Sequence, residues 1–87
     1  MNDRKDFAEI VDQFLEKWCE DGANLHVTEL ALFEKFRVFW AEATQKWIHE
    51  ASFDEFHTEI KRRGYRFVRN PRRVWYGLKL RKKPKGE

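Results

Sequence analysis

The stretch GYRFVRNPRRVWYGLKL, residues 64–80, decides the fold. Before it, apolar residues recur with helical spacing; within it they alternate. Tyr65-Arg66-Phe67-Val68-Arg69 and Val74-Trp75-Tyr76-Gly77-Leu78-Lys79-Leu80 both read with period two, as extended chain does. Between them Asn70-Pro71-Arg72-Arg73 supplies a four-residue loop with proline in a turn position. The pattern predicts a β-hairpin. Setting Arg69 opposite Val74 places Phe67 across from Tyr76 and Tyr65 across from Leu78. That register gathers Tyr65, Phe67, Val74, Tyr76, Leu78 and Leu80 on one face, and Arg66, Val68, Trp75, Lys79 and Arg81 on the other. A two-stranded hairpin is marginal alone, so its apolar face requires cover.

Three helices upstream supply that cover. Phe7, Ile10, Val11, Phe14, Leu15 and Trp18 form one helical stripe, with Asp3 as N-cap and Asp6 and Glu9 where the helix dipole favours acids. Asp21-Gly22 is expected to end this helix. Asn24-Leu25-His26-Val27 reads as a brief extended segment. Thr28 then caps a second helix that buries Leu32, Phe33, Phe36, Phe39, Trp40 and Ala43, with Leu30 at the edge. Thr44–Glu50 either extends it or forms a linker packed through Trp47 and Ile48. Ser52 and Glu55 make a capping box for a third helix, with Phe53, Phe56 and Ile60 inside and Gly64 as its stop. Helix, short extended segment, helix, helix and hairpin is the element order of a winged helix, an α+β fold of the helix-turn-helix class with the hairpin as wing. One winged-helix domain over residues 1–80 is predicted, followed by a basic, disordered tail over 81–87.

Composition narrows the function. A chain of 87 residues fits one domain, and its 14 aromatics provide large buried areas. A single cysteine, Cys19, excludes a disulfide framework and reads as a small helix residue at the core edge. No apolar run reaches the roughly 18 residues of a membrane span, and the polar N-terminus is unlike a secretory signal. A cytoplasmic protein without a membrane partner is expected. His26, His49 and His57 lack metal-site spacing, and His57 reads as a packing residue beside the third helix's inner face. The glycines are isolated, so there is no phosphate loop. The expectation is no enzyme, no catalytic residue, no metal and no cofactor.

Charge points elsewhere. The net charge of +3 divides into 6 Lys+Arg against 14 Asp+Glu over residues 1–60, and 12 against 1 over residues 61–87. Net charges of −8 and +11 on the two parts suggest a polyanionic partner. Arg69, Arg72 and Arg73 lie at the hairpin tip, and Arg66, Lys79 and Arg81 on its basic face. Trp75 shares that face, where it either stacks on a base or packs against the N-terminal segment. Lys61, Arg62 and Arg63 close the third helix, where they also complement its dipole. Lys82 and Lys83 continue the basic run. If six to eight of these cations met phosphates, log K would fall with log salt at a slope of roughly −5 to −7. The third helix instead presents Asp54, Glu55, Thr58, Glu59 and Arg62 outward, and its acids oppose entry into a DNA major groove.

Residues from about Val11 to Leu80 resemble the C-terminal winged-helix domain of phage and plasmid primase–helicases of the poxvirus type. The likeness is carried by Phe14-Leu15-Glu16-Lys17, Val27-Thr28-Glu29-Leu30, Phe36, Trp40, Ser52-Phe53, Arg63-Gly64-Tyr65 and Trp75-Tyr76-Gly77-Leu78. It implies DNA binding in replication, near an origin or fork, by a small factor of a phage or mobile element. The acidic third helix departs from the family pattern. Two readings follow: a winged helix that binds DNA or RNA through its wing and tail, and one that docks through its acidic half on a host nucleic-acid enzyme.

Overall fold

The computed structural model describes residues 3–46 and 51–86. Its elements are α1 (Asp3–Trp18), β1 (Cys19–Thr28), α2 (Glu29–Thr44), α3 (Ala51–Arg62), β2 (Arg66–Val68) and β3 (Val74–Leu80). Three helices pack with a three-stranded antiparallel sheet of order β1-β3-β2. None of the described helices is long and apolar enough to cross a membrane.

The helical stripes converge as their spacing requires. Phe7, Val11 and Phe14 of α1 meet Leu32, Phe33 and Phe36 of α2 and Phe56 and Ile60 of α3. Phe36 is central, with ring centroids of Phe7, Phe14 and Phe56 at 5.6, 5.3 and 4.4 Å. Ala43, expected on the buried face, is exposed. Thr28 caps α2 by accepting from the Ala31 N–H. At its other end α2 stops at Thr44, where Gln45 turns left-handed and donates its N–H to the Ala41 carbonyl. Trp47–Glu50, the rest of the stretch read as extension or linker, lies outside the described residues. Ser52 falls inside α3, which already runs from Ala51, and Gly64 (φ 95°) ends that helix as expected.

Two features of the sheet differ from the sequence reading. Helix α1 ends at Trp18 rather than Gly22, and the chain runs directly into a ten-residue β1. The physical reason is that β3 has two edges of unpaired backbone, and the three residues of β2 satisfy only one of them. Cys19 is therefore a buried strand residue, and that burial pushes its thiol up to about 12.

The hairpin register is shifted by one residue. Val68 faces Val74, Phe67 faces Trp75 and Arg66 faces Tyr76. Trp75 is consequently fully buried, against Phe67 and His57, while Tyr76 takes the outer face. Gly77, at φ 102°, then breaks the alternation, so that Trp75 and Leu78 both point into the core. Opposite it, four residues of β1 (Gly22 to Leu25) bulge past one of β3. A regular strand cannot bury both large side chains; the glycine allows it.

Beyond β3 the tail makes two backbone hydrogen bonds to the end of α1. Arg81 N–H donates to the Trp18 carbonyl at 2.7 Å and Lys85 N–H to that of Lys17 at 2.8 Å. The tail thus runs back over the end of α1, whose last carbonyls lack helical partners. Its positive charges lie at the negative end of the α1 dipole.

Candidate nucleic-acid interface

Of the eleven candidate side chains, three serve the fold. Arg73 reaches Glu29, the first residue of α2, through Nε and through Nη2 at 3.3 Å. His57 Nδ1 bonds the same carboxylate at 2.9 Å, and the Glu29 N–H donates to the Arg73 carbonyl. Glu29 is only 4% exposed. Burial alone would raise its carboxyl, but the hydrogen bonds from Arg73 and His57 outweigh that and hold it below the ordinary carboxylate range. Arg73 therefore ties the loop of the hairpin to the start of α2 rather than standing free. Arg63 is engaged likewise, with Glu59 and Asp12 at 2.7 Å and the Ala8 carbonyl at 3.1 Å, tying α3 to α1. Trp75, in the core, cannot stack on a base.

Three more candidates are paired at the surface. Arg62 bonds Glu59 at 2.7 Å, Lys79 meets Glu20 at 3.0 Å, and Arg81 lies 3.9 Å from the same carboxylate. Arg66, Arg69, Arg72, Lys82 and Lys83 have no carboxylate partner among the described residues. They do not form one patch. Arg69 and Arg72 stand beside the start of β3, whereas Lys82 and Lys83 follow its end, about 20 Å away along a seven-residue strand. Wing and tail are thus separate basic regions.

The hairpin region gains a residue that the candidate set lacked. Lys61, in the last turn of α3, lines a groove with Arg66 and Arg69, floored by His57, Tyr65 and Phe67. Lys61 also lacks a carboxylate partner among the described residues. Its place was legible only as a helix-end charge. On the sheet's outer face, β-pairing aligns His26, Tyr76 and Arg66 across all three strands. The Arg66 guanidinium lies 5.2 Å from the Tyr76 ring centroid, and the His26 ring lies 5.9 Å away, tilted by 38°. Beside this row a second groove runs between the β1 bulge and the turn after α3, where the Tyr65 hydroxyl donates to Asp21.

Asp54, Glu55, Thr58 and Glu59 of α3 line a further concavity with Phe7. Comparisons with protein-family models, with curated proteins and with solved structures find no match.

Proposed function

We propose that this chain is a winged-helix nucleic-acid-binding protein of phage or mobile-element type, with β2 and β3 as its wing. The element order, with β1 completing the sheet beside β3, supports the winged-helix assignment. The carrying observation is that Lys61, Arg66, Arg69 and Arg72 cluster around one groove and hairpin tip and have no carboxylate partner among the described residues. Phosphates are the ligands that such a group of cations attracts most strongly. The wing, not α3, makes the contact in this reading, because α3 exposes Asp54 and Glu55.

Changing Arg69 and Arg72 together to Ala tests it. Both side chains are exposed, so the melting temperature should stay within a few degrees while affinity for DNA drops about tenfold or more. Unchanged affinity removes the wing from the function. The acidic concavity on α3 favours a second reading, docking on a basic surface of another protein. Absence of binding to DNA and RNA alike at about 50 mM salt, where phosphate contacts are strong, selects it.

A further inference from the structure

We propose that the nucleic acid this chain takes is single-stranded, and that the outer face of the sheet is the platform on which its bases stack. The inference rests on the nucleic-acid reading above and adds the substrate class. Its basis is the transverse row His26–Tyr76–Arg66, three planar groups from three adjacent strands, standing on the face turned away from the core. His26 and Arg66 are exposed and Tyr76 is half-buried.

Side chains stand roughly perpendicular to a sheet, so this row presents ring edges and π-faces to whatever lies across it. Nucleobases stack on such groups without sequence preference, but only when unpaired bases are free to splay. Phosphates linking those bases have cations at hand. Arg66 belongs both to the row and to the groove it shares with Lys61 and Arg69. Of the carboxylates on β1, Glu20 is paired with Lys79, while Asp21 accepts from the Tyr65 hydroxyl and keeps its charge in the neighbouring groove.

Duplex DNA fits less well. The usual means of reading it is a helix in the major groove, and α3 would bring Asp54 and Glu55 against the phosphate walls. A duplex also hides the π-faces that Tyr76 and His26 would meet. A strand laid over the sheet meets α3 only at its last turn, through Lys61, and keeps clear of Asp54 and Glu55.

The test is fluorescence anisotropy of the intact chain with labelled oligo-dT of about twelve nucleotides, within the usual site size, beside a duplex of equal length and oligo-rU. Either single strand should bind about tenfold or more tightly than the duplex at equal salt, and the two single-strand arms tell which sugar is accepted. Tyr76→Leu, which keeps apolar bulk but removes the ring, should weaken single-strand binding roughly 5- to 150-fold. Tyr76→Phe should bind as the parent does, and a thermal melt of each variant separates lost stacking from lost fold. Duplex binding equal to or tighter than single-strand binding, or full affinity in Tyr76→Leu, overturns this proposal while leaving the nucleic-acid reading intact. No binding to any of the three probes at about 50 mM salt overturns both.

Discussion

A carboxylate that is 4% exposed needs donors, and Glu29 finds them in Arg73 and His57, which come from two other parts of the chain. The three residues join α2, α3 and the loop of the hairpin at one point. Glu29→Gln puts an amide N–H₂ where an acceptor is needed, so it should cost about 1–3 kcal/mol. In a domain of this size that lowers the melting temperature by roughly 5 °C or more. The same group predicts acid lability. The folded Glu29 carboxyl lies below its ordinary 4.5, as does that of Glu59, held there against burial by Arg63 and Arg62. A depressed carboxylate contributes in full above the unfolded value, and the contribution is lost as pH falls through the folded one. Melting temperature should therefore be level near neutrality and fall below about pH 4.5, and less steeply in Glu29→Gln. An equal acid slope in both proteins would remove Glu29 from this account. Sequence separations of 28 and 44 residues hide the cluster from any local reading. Arg73 was legible as a basic hairpin residue, but its partner was not.

At the scale of the element, β3 shows how one residue redirects a strand. Uninterrupted alternation from Val74 to Leu80 would set Trp75 and Leu78 on opposite faces, and both are fully buried. Gly77 resolves the conflict with a positive φ, and a Cβ there would lie 3.3 Å from the Tyr65 ring. Gly77→Ala should thus destabilise by about 1–3 kcal/mol, read from chemical denaturation. A neutral result would show that the switch does not need glycine. The signal was present in the sequence, since glycine inside a strand marks a bulge. Reading through it yields the wrong register and exchanges the roles of Trp75 and Tyr76. The helices suffer no such ambiguity: the stripe from Phe7 to Trp18 has one way to face a core, and it does.

Across the whole molecule, five of the twelve basic side chains of residues 61–86 are drawn into internal ion pairs, and seven have none among the described residues. Glu20, Glu29, Glu59 and Asp12 neutralise basic side chains that composition alone would assign to a ligand. With Lys61, Arg66, Arg69 and Arg72 as the phosphate contacts, the salt slope of binding should be about −3 to −4, not the steeper value of a continuous basic surface. Lys82→Ala with Lys83→Ala should leave slope and affinity nearly unchanged, because about 20 Å exceeds the screening length at physiological salt. A clear loss in that variant, measured by salt titration, would bring the tail into the interface. The amino-acid order by itself determined the helices, the hairpin, the aromatic core and the polarity of charge, because each depends on spacing within a few turns or on composition. The pairing of β1 with β3, the one-residue register, the contacts of the tail with α1 and the division of cations into bound and unpaired were decided only by the tertiary structure. Those are contacts between residues distant in the chain, and they are selected by total burial and by satisfaction of backbone and charged groups, which no local pattern records.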